Sequence, residues 1–336
     1  METFFEAQPE LIRDSAIALG FFDGVHPGHQ AVIGKALEEA RRLGVPCGIV
    51  TFKDHPRTLT RGKSPLLLTV IDQRLNLFSK MGVDFALALN FTEELCKLSP
   101  FEYVESILVG SLGARSISVG PNHHFGRDRE GDAQLLTKMG TDLNFVVHVA
   151  EMVTVAGTEV SSSKIRELIQ AGEMDAATSL LSRPFALHGK VVEGDKRGKQ
   201  LGFPTCNLEL YEFQVVPRRG VYAGMTSLKD GRTVPSVINI GLQPTFNRER
   251  SESEEPETKD MRVEAHLLDF QGDLYDQMIE VQFHKYLRGE KRFDGPESLK
   301  KQIAADIETA KSLLSGPGDE GEPKELRNGP HHKLFA

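Results

Sequence analysis

Between residues 16 and 150, strand-like apolar runs alternate with amphipathic helical stretches, and after Ser182 this alternation stops. The runs AIALGFF (16–22), CGIVTF (47–52), FALALN (85–90), ARSISVG (114–120) and LNFVVHVA (143–150) read as strands. QAVIGKALEEARRLG (30–44), DQRLNLFSKMG (72–82) and PFEYVESILVGSLG (100–113) carry helical periodicity between them. Such alternation predicts a parallel sheet with helices on both faces, whose ligands sit beyond the carboxyl ends of the strands. After Ser182 come six short β-rich runs: FALHGKVVEG, TCNLEL, GVYAGMTSL, TVPSVINIG, MRVEAHLLDF and MIEVQFHKYL. The helical stretch SLKKQIAADIETAKSLL (298–314) follows. This half is expected to be a small six-stranded antiparallel barrel with a closing helix. The expected domains are therefore 1–182 and 183–315. The Pro-, Gly- and charge-rich segment 316–336 is expected to be a disordered tail.

A chain of 336 residues suits two domains. No apolar run approaches the ~20 residues of a membrane span, and the first twenty residues lack the basic and apolar regions of a secretory signal. Cys47, Cys96 and Cys206 are far apart and form no CxxC pair, which points to a reducing cytoplasm and away from disulfides or structural zinc. The net charge of −8 disfavours a nucleic-acid partner. Composition leaves the oligomeric state open between a monomer and a weak homo-oligomer.

The stretch GFFDGVHPGH (20–29) falls where the first strand ends and a helix begins. Pro27 suits the first helical position, which puts His26 near the N-cap and His29 one turn on, on the same face. The free N–H groups of a helix start attract anions, and Gly24 and Gly28 let backbone come close to a phosphate. Histidines there can donate to phosphoryl oxygens as charge grows on them; two histidines in a polar loop is the plainer reading. VSSSKIRELI (160–169) places Ser161, Ser162 and Ser163 before a helix with Arg166 in its first turn. This is either a second anion-binding helix start or an ordinary cap. Between the two lies the loop VGPNHHFGRDREGD (119–132).

In the second half, GKVVEGDKRGKQLGFPTCN (189–207) runs from Gly189 through Gly202 and Pro204 to a strand carrying Thr205 and Asn207. Positions i and i+2 share a strand face, so a hydroxyl and an amide oxygen converge, a donor set suited to Mg²⁺ shared with substrate phosphates. A polar strand beside a glycine turn is the alternative. No GxxxxGK[ST] motif occurs in the chain, so any kinase here must cradle phosphate by other means, for which the glycine segment 189–202 is the candidate.

GFFDGVHPGH, VGPNHHFGRDREG and VSSSKIR, in this order, resemble the adenylyltransferase module of prokaryotic bifunctional riboflavin kinase/FAD synthetases, members of the HxGH nucleotidyltransferases. GFPTCN, VINIGLQPTF (237–246) and VEAHLLDFQGDLY (263–275) resemble the riboflavin kinase module of the same family. The resemblance implies a Rossmann-like first domain that binds ATP through His26 and His29. Ser162, Ser163 and Arg166 would lie near the triphosphate, and Asn122, Phe125 and Gly126 by the nucleotide and flavin. In the barrel it implies Asn239, Pro244 and Phe246 at the ligand rim and Glu264 as catalytic base, although Glu264 could also be an outward strand residue, as Glu280 and Gln282 are expected to be. The acidic stretch 248–260 is expected to be a solvated loop. The implied partners are riboflavin, FMN and ATP, with Mg²⁺ as cofactor. The chain departs from the family pattern at Lys53 and Asp54 in FKDHP (52–56), where an acid and a proline are usual, and at His123, where Phe is usual. These departures motivate an alternative: a riboflavin kinase with a degenerate adenylyltransferase domain.

Overall fold

The computed structural model describes residues 1–55, 65–195, 197–242 and 258–315. Phe246 and Pro244, most of the acidic stretch and the tail from 316 lie outside them.

The first half is a six-stranded parallel sheet. In chain order its strands are β1 (Glu2–Phe4), β2 (Ser15–Leu19), β3 (Cys47–Phe52), β4 (Phe85–Leu89), β5 (Ala114–Val119) and β8 (Val146–Val149), arranged β1-β4-β3-β2-β5-β8. Strand order reverses beside β2, so the loop after β2 opens at the switch point where such sheets bind ligands. Side chains alternate across each strand: Ile17 and Leu19 enter one core layer, Ala16 and Ala18 the other. The covering helices include α1 (Pro27–Leu43), α2 (Ile71–Lys80), α3 (Glu93–Lys97), α4 (Pro100–Tyr103, continued by a π-helical stretch Val104–Val109) and α5 (Ala133–Leu143). Two small antiparallel ladders, β6 (His124–Phe125) with β7 (Gly131–Asp132) and β9 (Thr154–Val155) with β10 (Thr158–Glu159), shape the loops around it. All five strands expected between 16 and 150 are present. The edge strand β1 was too short to give a periodic signal.

Helices α6 (Ser162–Ala171) and α7 (Met174–Leu181) lead into the second half. Its six strands are β11 (Phe185–Val192), β12 (Cys206–Leu210), β13 (Gly220–Ser227), β14 (Thr233–Leu242), β15 (Met261–Leu267) and β16 (Met278–Arg288). They close an antiparallel barrel in the order β11-β12-β15-β14-β13-β16. The short helix α8 (Arg197–Leu201) lies inside the glycine segment, and α9 (Pro296–Leu314) packs Ile307 and Ala310 on Val221, Ala223 and Val237.

The halves share one apolar core, in which Leu68, Ile165, Ile169 and Leu181 pack with the barrel residues Leu187, Ile238 and Phe283. A polar seam borders it. Leu67 forms a parallel bridge with Gln214, the Gln73 amide donates to Glu280 Oε2 at 3.0 Å, and Lys285 pairs with Asp175. Glu280 is thus a seam residue rather than an outward-facing one.

Candidate active sites

His26 is the N-cap of α1 and Pro27 its first residue, so the first-turn amides after Pro27 have no intrahelical acceptor. The His26 and His29 rings stack, centroids 3.7 Å apart at 19°. Gly28 makes room, since a Cβ there would meet His26 Cε1 at 3.2 Å. Burial pulls His26 down to about 4, against the opposing pull of Asp23, and holds His29 well below the usual imidazole range, helped by His26, Arg74, Arg166 and Arg183. Both rings are therefore neutral at pH 7. Their Nδ1 atoms are buried without a hydrogen-bond partner, an expensive state that a ligand acceptor would relieve. Neutral imidazole supplies such a donor without carrying charge.

Asp23 organises the surroundings. Its carboxylate, 3% exposed, accepts from the Leu68 and Thr69 amides at 2.9 and 3.0 Å and from Arg166 Nη2 at 2.7 Å. Arg166 also donates through Nε to Leu66 O at 2.6 Å. Ser161 caps α6 by accepting from the Lys164 amide. Ser162 already belongs to the helix and donates to Asp23 O at 2.9 Å, while Ser163 is exposed. Arg166 is therefore the fifth helical residue, just past the first turn expected for it. Gly24 differs from expectation as well. With φ +85° it turns the chain against Leu68, and its N–H donates to Thr69 Oγ1 at 2.9 Å, so that amide is committed to the protein.

Arg74, on α2, is fully buried and stitches two strand ends, donating to Phe21 O at 2.8 Å and Lys53 O at 2.9 Å. Burial lowers it only to about 10, so it stays cationic. Asp23 and Arg74 were missed as site residues because a single Asp after two Phe, or an Arg in a helical stretch, carries no local pattern. Lys53 and Asp54 have exposed side chains, and His55 packs edge-on against Phe21. His123 stacks near Phe125 at 5.8 Å and is lowered by burial to about 4. A neutral, stacked ring there does what an aromatic side chain does. Phe125 is buried beside Tyr103. Gly126, at φ +71°, meets Pro100 so closely that a Cβ would lie 2.8 Å from its nitrogen, and Asn122 is exposed at the loop tip.

In the barrel, register builds the site. Asn207 on β12 lies directly across from Glu264 on β15, and Glu264 directly across from Asn239 on β14, so the three form one row on one face. Arg262, two residues before Glu264, binds the row together: Nη2 to Glu264 Oε1 at 2.8 Å, Nε to Asn207 Oδ1 at 3.2 Å, and Nη1 to Asp195 Oδ2 at 2.8 Å. Only its strand alternation with Glu264 could have flagged Arg262. Thr205 immediately precedes β12, and Pro204 O is hydrogen-bonded by His266 at 2.6 Å. Gly194 approaches Asn207 so closely that a Cβ would stand 2.1 Å from Nδ2. Gly189 serves strand contact, since a Cβ would meet Glu209 O at 2.7 Å, and Gly202 (φ +88°) turns the chain after α8.

A family model described as FAD synthetase matches residues 8–164, and one described as riboflavin kinase matches residues 181–314. A bifunctional riboflavin kinase/FMN adenylyltransferase of Pseudomonas fluorescens is 40% identical over 304 residues, 90% of this chain and 94% of that protein. Its namesake from Bacillus subtilis is 34% identical over 300 residues, 88% and 91% of the two chains. A solved structure titled a macrolide-efflux protein, from Streptococcus pneumoniae, superposes with a TM-score of 0.79 at 26% identity, covering 93% of this chain and 99% of that one. Among the described residues of the present chain, no helix is long and apolar enough to cross a membrane. Matches to both halves favour the two-activity reading over a kinase with a degenerate partner domain. The chain belongs to the bifunctional riboflavin kinase/FMN adenylyltransferase family.

Proposed function

We propose that the family's two activities are divided between residues 1–182, which adenylylate FMN to FAD, and residues 183–315, which phosphorylate riboflavin to FMN. What carries this reading is the pair of stacked, neutral histidines with unpartnered Nδ1 atoms at the start of α1, far in chemistry from the barrel row of one carboxylate, Glu264, between two amides, Asn207 and Asn239.

In the barrel, the ribityl hydroxyl of riboflavin attacks the γ-phosphorus of ATP. An O–P bond forms, the bond to ADP breaks, and Glu264 accepts the hydroxyl proton. Arg262 holds Glu264 beside Asn207 and keeps its carboxylate aimed along the row. Mg²⁺ would supply charge neutralisation at the phosphates. The hydroxyl of Thr205 and the amide oxygen of Asn207 suit it as hard oxygen donors, with substrate phosphates completing the shell.

In the parallel-sheet half, an FMN phosphate oxygen attacks the α-phosphorus of ATP and pyrophosphate leaves. The nucleophile is already anionic, so no protein base is needed. His26 and His29 donate to the phosphates, and Arg166, Arg74 and the start of α1 supply positive potential. The protein acts in the cytoplasm on small molecules, as a monomer or a weak homo-oligomer.

Glu264→Ala should abolish FMN formation from riboflavin while FAD still forms from supplied FMN, and His29→Ala should do the reverse. Product chromatography reads both. Loss of both activities in each folded variant would overturn the division.

A further inference from the structure

The junction between the halves is laced into the turn that presents the histidine pair. Arg183 donates through Nη2 to Gly24 O at 2.6 Å and through Nη1 to Leu181 O at 3.3 Å. Next to it, Ser182 Oγ accepts from the Gln30 amide, which also donates to Val25 O at 2.9 Å. Two consecutive carbonyls, those of Gly24 and Val25, are thus fixed by or through Ser182 and Arg183, directly before His26. The turn has little freedom of its own to hold that shape: Gly24 and Val25 both have positive φ, 85° and 43°, and a β-branched residue is strained there. Leu181 closes the other side, with Cδ2 3.4 Å from where a Gly24 Cβ would be. Arg183 lies outside the FAD synthetase match (8–164) and inside the riboflavin kinase match (181–314).

We infer that Arg183, a residue of the kinase module, is a positioning residue of the adenylyl-transfer site: by holding the Gly24 carbonyl it keeps the strained turn that aims His26 and His29. The inference rests on the assignment of adenylyl transfer to the histidine pair. Electrostatics agree with the geometry. Burial lowers Arg183 to about 10, leaving it charged at neutral pH, and that charge is among the influences that keep His26 unprotonated, alongside Arg166 and against Asp23. Losing Arg183 would both free the turn and make His26 easier to protonate.

The test uses the full chain with Arg183→Met, which fills the space without donating, and Arg183→Lys, which restores a cationic donor. FAD formation from FMN and ATP and FMN formation from riboflavin and ATP are measured separately, at a temperature where thermal unfolding shows each variant folded. We expect kcat for FAD formation to fall about tenfold to a hundredfold in Arg183→Met, the loss typical of a reacting group displaced by about 1 Å. The KM values should change less than kcat, Arg183→Lys should recover part of the loss, and riboflavin phosphorylation should stay within twofold of wild type. A folded Arg183→Met with wild-type FAD formation, or with both activities reduced equally, overturns the inference. If Arg183→Met does not fold, Arg183→Gln, which keeps an amide donor but no charge, is judged by the same two criteria. Failure of the underlying assignment shows differently: His29→Ala alone, with Arg183 unchanged, then leaves FAD formation intact.

Discussion

At the centre of the histidine site the polar groups are sealed: Asp23 is 3% exposed, His26 5% and Arg74 0%, with the Arg166 side chain at 17%. On the barrel, the Arg262 and Glu264 side chains each keep 23% of their surface exposed, and their partner Asp195 keeps 47%. The first site is built from long-range contacts. Residues 23, 68, 69 and 166 meet there across a parallel sheet and two loops, and neutral rings with buried guanidinium groups act in a low dielectric, where each charge interacts strongly and each lost partner is costly. The second site is built by strand register, from neighbours on adjacent strands and at i, i+2, with water close enough to screen its charges. Phosphate chemistry is served in one case by a rigid, dry cradle and in the other by a ladder that tolerates local change. Substitutions should therefore disturb fold and activity together in the first site, and activity alone in the second.

Asp23→Ala should expose this difference most sharply. It removes the acceptor of two backbone amides and leaves Arg166, whose side chain is only 17% exposed, without its carboxylate. Breaking a buried pair from one side costs about 3–5 kcal/mol, so urea denaturation should show a loss of that size, accompanied by loss of FAD formation. A loss below about 1 kcal/mol would mean that the Asp23–Arg166 pair is as screened as the charges on the barrel.

Acid should test the dryness of the histidine site next, although burial also lowers His188 and His284 on the barrel. Folding lowers His26 from 6.5 to about 4 by burial, so between those values the unfolded chain binds a proton that the folded chain refuses. Stability from this source is complete above pH 6.5, falls as the pH drops toward 4, and changes no further below it. The shift corresponds to a loss on the order of 3 kcal/mol at pH 4. His123, lowered by burial to about 4 in the same half, acts with the same sign. Imidazole NMR should show both rings neutral at pH 6, and denaturation curves should weaken steadily from pH 6.5 to 4. Titration of His26 near 6.5 in the folded protein would mean that the histidine site is open to water.

The same contrast explains what could be read from the chain beforehand. Strands of the sheet and barrel announce themselves through local periodicity, as in the alternately buried Phe185–Val192, and the histidine motif through its spacing. The Asn207–Glu264 alignment depends on pairing between strands more than fifty residues apart, yet motif position sufficed to nominate both. Asp23, Arg74 and Arg183 could not be nominated in this way. Their importance arises from carbonyls and amides brought to them by the fold, and a side chain that serves distant backbone leaves no periodic trace. The glycines were legible as a class but not by role: Gly24 turns the chain and commits its amide to Thr69, whereas Gly28 and Gly194 make room for specific side chains.

Gly194→Ala offers the finest test, because it should touch the barrel site without touching the barrel. An added methyl would overlap the end of the Asn207 side chain, 2.1 Å from Nδ2, and that amide can swing away at little cost to the fold. In doing so it must give up the bond from Arg262 Nε, and with it the oxygen proposed to face the metal. Thermal unfolding should change by no more than about 1 kcal/mol, the scale of a Gly→Ala change in a tolerant backbone. Riboflavin phosphorylation should fall about tenfold or more, by the geometric sensitivity of oriented groups, while FAD formation from supplied FMN stays unchanged. Unchanged phosphorylation would show that Asn207 is not held in place for catalysis, and the row would then reduce to Glu264 and Arg262. A large stability loss would show that the loop at 194 is as tightly built as the turn at Gly24, and the contrast between a rigid cradle and a tolerant ladder would no longer stand.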